Sequence, residues 1–170
     1  YRADGRVDAV VLNSGGANAC TGSEGFLDTH RTAEHVADVL GCSAVDVAVC
    51  STGLIGARLP MPKLLAGVDA AAAALSPQGH ASAANAIMTT DTVSKEVGYA
   101  GDGWTVSGMA KGAGMLAPAL ATMLVVLTTD AVTTAADLDG ALRSATAMTF
   151  DRIDSDGCMS TNDTVLVMAS

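Results

Sequence analysis

Residues 123–127, Met-Leu-Val-Val-Leu, form an unbroken apolar run, and its length and β-branched content suit a strand buried on both faces. The stretch that feeds it, Lys111-Gly112-Ala113-Gly114 through Pro118 to Thr122, is punctuated by glycine and proline. A loop of this kind delivers one threonine to the mouth of a buried strand. Thr122 is therefore the candidate nucleophile. A threonine hydroxyl needs a base to take its proton, and the α-amine of the same residue serves once that residue is a chain terminus. Such an amine titrates near ~7.7–8.0, so a useful fraction is free base at neutral pH. Exposing it requires cleavage of the Ala121-Thr122 peptide, which the Thr122 hydroxyl can attempt by attacking the Ala121 carbonyl. Read from this segment alone, a β-forming residue at a strand entry remains the plain alternative.

The other elements follow from periodicity. A short apolar strand covers residues 9–12 and gives way to turn residues at 13–16. From about Ser23 to Leu40, Phe26, Leu27, His30, Ala33, Val36, Ala37 and Leu40 recur at helical spacing, and Gly41 supplies the stop. Residues 45–50 read as a buried strand, and Ser51-Thr52-Gly53 follows as a tight turn with an exposed hydroxyl and a glycine amide able to face a ligand closely. Ser-Thr-Gly is also common turn chemistry. A second helical stripe runs through Leu64, Leu65, Val68, Ala71, Ala72 and Leu75, from near Pro62 to before Ser76-Pro77. Residues 86–90, 93–99 and 104–109 read as successive strands, the last two joined by Gly101-Asp102-Gly103 as a hairpin turn. Trp104 reads as a core residue. Thr134 with Asp137 resembles a capping box ahead of a third stripe through Leu138, Ala141, Leu142, Ala145 and Met148. Hairpin-paired strands with three amphipathic helices imply an α/β fold with two sheets between helices, a four-layer α/β/β/α sandwich.

Composition excludes several classes. A 170-residue chain with 49% hydrophobic residues can bury a substantial core, so disorder is excluded. The net charge is −9 and its nine Lys and Arg are scattered singly, which leaves no basic stripe for nucleic acid. Cys20, Cys42, Cys50 and Cys158 form no C-x-x-C pair and His30 and His35 are five apart. Neither a metal site nor a disulfide framework is indicated, and reduced thiols in a cytoplasmic protein are the expectation. No apolar run reaches the ~18 residues that cross a bilayer, so no membrane partner is expected. The glycines after the first strand do not give G-x-G-x-x-G, Lys111-Gly112 is not a P-loop, and Arg152 at the first ligand position rules out a calcium loop around Asp154-Ser155-Asp156-Gly157. That stretch reads as a turn. The chain starts near one strand and stops on the apolar residues 165–168, and so reads as an excerpt, a single partial domain.

The segment around Thr122 resembles the self-cleavage motif of the ornithine acetyltransferase family, the glutamate N-acetyltransferases of arginine biosynthesis. Leu12-Asn13-Ser14-Gly15-Gly16-Ala17-Asn18-Ala19-Cys20-Thr21-Gly22, Cys50-Ser51-Thr52-Gly53-Leu54-Ile55-Gly56, Ala86-Ile87-Met88-Thr89-Thr90-Asp91-Thr92 and Ser160-Thr161-Asn162-Asp163-Thr164 agree with it in order. The resemblance implies the fold shared with N-terminal-nucleophile aminopeptidases. It implies cleavage at Ala121-Thr122, with residues 1–121 the C-terminal part of an α chain and 122–170 the start of a β chain. It implies ping-pong acetyl transfer from N-acetylornithine to glutamate through an acetyl-threonine on Thr122, with Thr52 and Gly53 as oxyanion donors. Thr89, Lys111 and Thr122 would line the substrate site, with Lys111 offering charge to a substrate carboxylate. No cofactor is implied, acetyl-CoA being possible as a co-substrate. The two chains would pair as a heterotetramer, and further substrate ligands would come from beyond Ser170. An amidase or aminopeptidase with the same nucleophile, and a non-catalytic acidic binding domain, are the competing readings.

Overall fold

The computed structural model describes residues 4–118 and 122–170. The chain divides into two compact units, Tyr1–His80 and Ala81–Ser170. Both mix helix and sheet, the α/β class expected.

In the first unit, strand β1 (Ala9–Gly16), helix α1 (Gly22–Leu40), strand β2 (Val47–Leu54) and helix α2 (Met61–Ala73) follow one another. The two strands pair in parallel, with Ala9 opposite Val47 and Ser14 opposite Thr52. Each runs four residues beyond the apolar stretch that announced it. Residues 13–16 and 51–54 have turn chemistry but pair with each other, so ladder hydrogen bonds override local preference. Ser51-Thr52-Gly53 therefore ends a strand and is not a turn after one.

Helix α1 ends where Gly41 turns left-handed at φ 71° and donates its N–H to the Ala37 carbonyl at 2.8 Å. Its buried residues are Gly25, Asp28, Thr32, Val36 and Ala37. Phe26, expected inside, is 66% exposed and stacks on His30 at 4.4 Å between ring centroids. The buried stripe is polar at its start because Asp28 is held there. Arg58 grips it with Nε on Oδ2 at 3.0 Å and a second nitrogen on Oδ1 at 2.8 Å, and reaches Glu24 at 3.0 Å. This fork ties the segment after β2 back onto α1. Val36 closes a small core with Ala9 and Val68, flanked by Val11, Val47 and Leu64.

In the second unit, helix α3 (His80–Ala86) leads to strands β3 (Lys95–Ala100), β4 (Thr105–Lys111), β5 (Leu124–Thr129) and β6 (Thr164–Ala169), with helix α4 (Ala135–Met148) between the last two. The sheet order is β3-β4-β5-β6, antiparallel until β6, which joins β5 in parallel. The apolar run at 123–127 is the central strand, as its composition required, with Leu124, Val125 and Val126 buried. Leu116, Met123 and Val125 form the core of this unit, with Ala110, Leu127, Phe150 and Val165 against it.

Three local expectations change. No strand covers 86–90: the alanine-rich start prolongs a helix, Ala84 and Ile87 are buried at helical spacing, and Thr89 N–H donates to Asp91 Oδ2 at 3.4 Å in a side-chain-closed turn. Trp104 is 38% exposed and lies over Gly101, where an added Cβ would come within 2.3 Å of the indole. Thr134 caps α4 as read, its Oγ1 accepting the Asp137 N–H at 3.2 Å, but no residue of α4 is buried among the described residues. No helix of the described residues is long and apolar enough to cross a membrane.

The Asp28–Arg58 fork carries a prediction. Asp28 is buried and Arg58 half exposed, so Arg58→Ala should destabilise the protein by about 1–3 kcal/mol, the range for a buried acceptor left unsatisfied. Urea denaturation measures this; an unchanged midpoint would mean that water replaces the guanidinium without loss.

Candidate active site

Lys111 is the last residue of β4, paired with Leu124, the first of β5. Its side chain is only 3% exposed. A buried ammonium requires partners, and Nζ donates to Thr89 Oγ1 at 2.8 Å. Burial pulls the Lys111 pKa below its ordinary value, with Asp91 opposing that shift and Lys95 adding to it.

Gly112 turns the chain away from the sheet at φ +153° and donates its N–H to Asp91 Oδ1 at 2.7 Å. A Cβ here would stand 3.0 Å from the Thr122 carbonyl oxygen, 3.4 Å from Leu116 and 3.5 Å from Met123. The absence of a side chain is what lets the start of the loop lie against its end. Asp91, whose side chain is fully enclosed, also takes an ion pair from Lys95. Burial works against its charge, but the Lys95 ammonium and the N–H groups of Gly112 and Thr89 outweigh it and hold the carboxyl below the ordinary carboxylate range.

Thr122 donates its N–H to the Met115 carbonyl at 2.8 Å. Its Oγ1 is buried and makes no hydrogen bond among the described residues. An orphaned buried hydroxyl is disfavoured by about 1–3 kcal/mol, and a native structure that keeps one calls for a reason such as a reactive role. The turn at 154–157 braces the same loop: Asp156 Oδ2 accepts the Met115 N–H at 2.8 Å, and Ser155 N–H donates to the Leu116 carbonyl at 2.8 Å.

Thr52 and Gly53 belong to the first unit. The hydroxyl expected to be exposed in this segment is not: Thr52 is 1% exposed near the end of β2 and Ser51 is buried as well, because the ladder with β1 continues past them. Gly53, at φ +130°, sits so close to β1 that a Cβ would fall 2.6 Å from both the Gly15 carbonyl carbon and the Gly16 nitrogen. Only glycine fits that conformation at that separation. Ser51 Oγ, buried beside them, accepts the Asn18 N–H at 2.8 Å.

Thr89 and Lys111 thus touch directly, and Thr122 joins them through Gly112. Ala121 lies outside the described residues. Two residues escaped the sequence reading. Asp91 stands inside the 86–92 motif, and its signal was the Thr89-x-Asp91 turn with Lys95 four residues on. Asp156 had no local signal, because the backbone it holds is 41 residues away.

The described geometry is that of an α/β protein in which a buried threonine hydroxyl stands at the entry of an inner strand, next to the strand end that carries the buried Lys111. The family model for ArgJ matches residues 1–170, and the chain belongs to the ArgJ family. The arginine biosynthesis bifunctional protein ArgJ of Streptomyces coelicolor is 70% identical over 166 residues, 98% of this chain and 43% of its own length. That of Thermobifida fusca is 67% identical over 168 residues, 99% of this chain and 44% of its own length. The chain thus spans less than half the length of these relatives. Among solved structures, ornithine acetyltransferase from Mycobacterium tuberculosis, complexed with ornithine, is 60% identical with a TM-score of 0.63, over 66% of this chain and 62% of that one. ArgJ from Bacillus halodurans is 35% identical with a TM-score of 0.56, over 68% and 61%.

Because the folded state depresses the Asp91 pKa, its stabilisation is fully present above the unfolded value near ~3.9 and is lost as pH falls through the lower folded value. Asp91→Asn should therefore be less stable than the parent by about 2–3 kcal/mol at pH 7, the scale of hydrogen bonds to a charged group. The gap should begin to narrow below about pH 4, where the unfolded parent takes up a proton that the folded carboxylate still resists. Denaturant titrations at pH 7 and pH 3.5 test this; a gap that is constant with pH would assign the loss to shape and not to charge.

Proposed function

We propose that this chain carries the self-cleavage and acetyl-transfer centre of a glutamate N-acetyltransferase acting in arginine biosynthesis. The observation that carries the reading is the buried Thr122 Oγ1, poised without a hydrogen-bond partner among the described residues; membership of the ArgJ family supports it. Thr122 Oγ1 attacks the Ala121 carbonyl carbon, the C–N bond breaks, and the nitrogen takes the hydroxyl proton. Water then hydrolyses the ester, leaving an Ala121 carboxylate and restoring the hydroxyl beside a free α-amine. With that amine as base, Oγ1 takes the acetyl group of N-acetylornithine and ornithine leaves. The glutamate amine attacks the acetyl-threonine next, releasing N-acetylglutamate.

Thr52 and Gly53 act as the oxyanion donors, a role worth ~2.7–4 kcal/mol per donor. Lys111 is assigned to the α-carboxylate that donor and acceptor share, with Thr89 holding its ammonium in place. The cycle uses no cofactor; acetyl-CoA is a second possible donor. The α and β chains stay paired, as a heterotetramer in the cytoplasm. Relatives named as the bifunctional protein ArgJ, and a similar structure holding ornithine, support this substrate class.

Expressed at the full length of the family, the protein should yield two pieces in an intact-mass measurement, the second beginning at Thr122. Thr122→Ala should stay in one piece, and a cut that persists in this variant removes Thr122 from the reaction. Labelled N-acetylornithine with glutamate should give labelled N-acetylglutamate; free acetate as the main product would favour an amidase. Thr52→Ala should lower kcat by on the order of 10²–10³ in an otherwise folded enzyme, and parental turnover in that variant would take Thr52 out of the oxyanion hole.

A further inference from the structure

We infer that Asp156 is a positioning residue for Thr122, acting through the backbone N–H and C=O of Met115. Its carboxylate fixes the Met115 N–H, and the Met115 carbonyl fixes the Thr122 nitrogen. This rests on the reading of Thr122 as nucleophile.

Met115 has φ +56°, and among the described residues only Cys20 shares a positive φ without being glycine. For a side-chain-bearing residue that conformation is disfavoured by roughly 1–2 kcal/mol, and it persists only where the surroundings over-determine it. The surroundings here are specific. Asp156 Oδ2 accepts the Met115 N–H at 2.8 Å, Ser155 N–H donates to the Leu116 carbonyl at 2.8 Å, and the Leu116 side chain is buried in the core. Asp156 Oδ1 accepts the Cys158 N–H at 3.1 Å, so the carboxylate is itself locked in orientation. Those bonds, that of Met115 first, hold the Asp156 pKa below its ordinary value and keep the acceptor ionised.

The left-handed turn at Met115 aims its carbonyl at Thr122 N, 2.8 Å away. That nitrogen is the leaving atom when the Ala121-Thr122 bond breaks and the base in every later turnover. With one N–H held by Met115, rotation about the Thr122 N–Cα bond is restrained. During cleavage the proton from Oγ1 then arrives on a nitrogen whose other hydrogen is already committed. In the mature enzyme the amine keeps that N–H on Met115 and presents its lone pair to Oγ1. The relay spans the cut, with Asp156 and Thr122 on one product chain and Met115 on the other, and both of its bonds are non-covalent.

The test uses the full-length protein. Asp156→Ala should slow self-cleavage by about 10²-fold, as small misplacements of reacting groups do, and should lower the kcat of the cleaved fraction without raising KM. Asp156→Asn should recover part of both rates, because its amide oxygen can still accept the Met115 N–H. Asp154→Ala is the control. Asp154 accepts only the Gly157 N–H of the same turn in the bonds seen here, at 2.9 Å, and its loss should leave the rates at parental values. Melting temperatures establish that each variant is folded. Parental cleavage and kcat in folded Asp156→Ala overturn the inference, as does an equal loss in Asp154→Ala, which would make the turn merely structural. Should Asp156→Ala not fold, parental rates in Asp156→Asn with the Met115 bond replaced by water, seen crystallographically, overturn it. A parent protein that never cleaves overturns the Thr122 reading itself.

Discussion

The pairing of β4 with β5 is the constraint on which the candidate centre depends. Its last rung joins Lys111 to Leu124, so the chain that leaves the sheet at Gly112 must return one strand spacing away, about 4.8 Å. Both feet of the intervening loop are thereby set by backbone hydrogen bonds of a buried sheet. Leu116 and Met123 are pinned in the same core as Val125. Thr122 stands one residue outside this core, with its backbone set on one side by the sheet register and on the other by its N–H bond to the Met115 carbonyl.

Much of this was legible in the sequence, and the failures have physical reasons. The central strand at 123–127 and the hairpin around Gly101-Asp102-Gly103 were readable because burial on two faces and tight turns are local chemical demands. Gly53 was read as a glycine open to a ligand, whereas its close approach is to the Gly15-Gly16 peptide of the neighbouring strand. Residues 13–16 look like a turn until a second segment pairs with them. Residues 86–90 look like a strand until the alanines before them propagate a helix. Phe26 and Trp104 look like core residues, but burial is decided by which face a neighbouring charge or strand occupies, and Asp28 with Arg58 takes that face of α1. Asp91 and Asp156 serve backbone groups that are distant in sequence, and spacing rules address neighbours.

Three features of the loop region oppose stability: the buried ammonium of Lys111, the left-handed Met115 and the Thr122 hydroxyl, buried without a hydrogen bond among the described residues. All lie within residues 111–122, between the two inner strands of the sheet. Local violations of this kind are expected where function outweighs foldability. Each has a support that is otherwise unremarkable: Thr89 for Lys111, Asp156 for Met115, and the rigid entry of β5 for Thr122. Asp91 contributes to two of them. It holds the Gly112 N–H and so keeps the loop against Thr122, and its charge opposes the loss of the Lys111 proton.

The same register explains how a cut at Ala121-Thr122 can be tolerated. Such a cut would leave β4 on one piece and β5 on the other, yet all six residue pairs from Val106 opposite Thr129 to Lys111 opposite Leu124 involve backbone groups that the cut does not touch. Leu116 and Met123 would lie on opposite sides of it and still share one hydrophobic cluster. Separating the pieces would strip a central strand of one neighbour and leave buried N–H and C=O groups unpaired, which is strongly disfavoured. Breaking the peptide therefore frees only the loop, with the sheet intact. A cut there would turn one covalent bond into a chain end while the non-covalent pairing of β4 with β5 stayed complete.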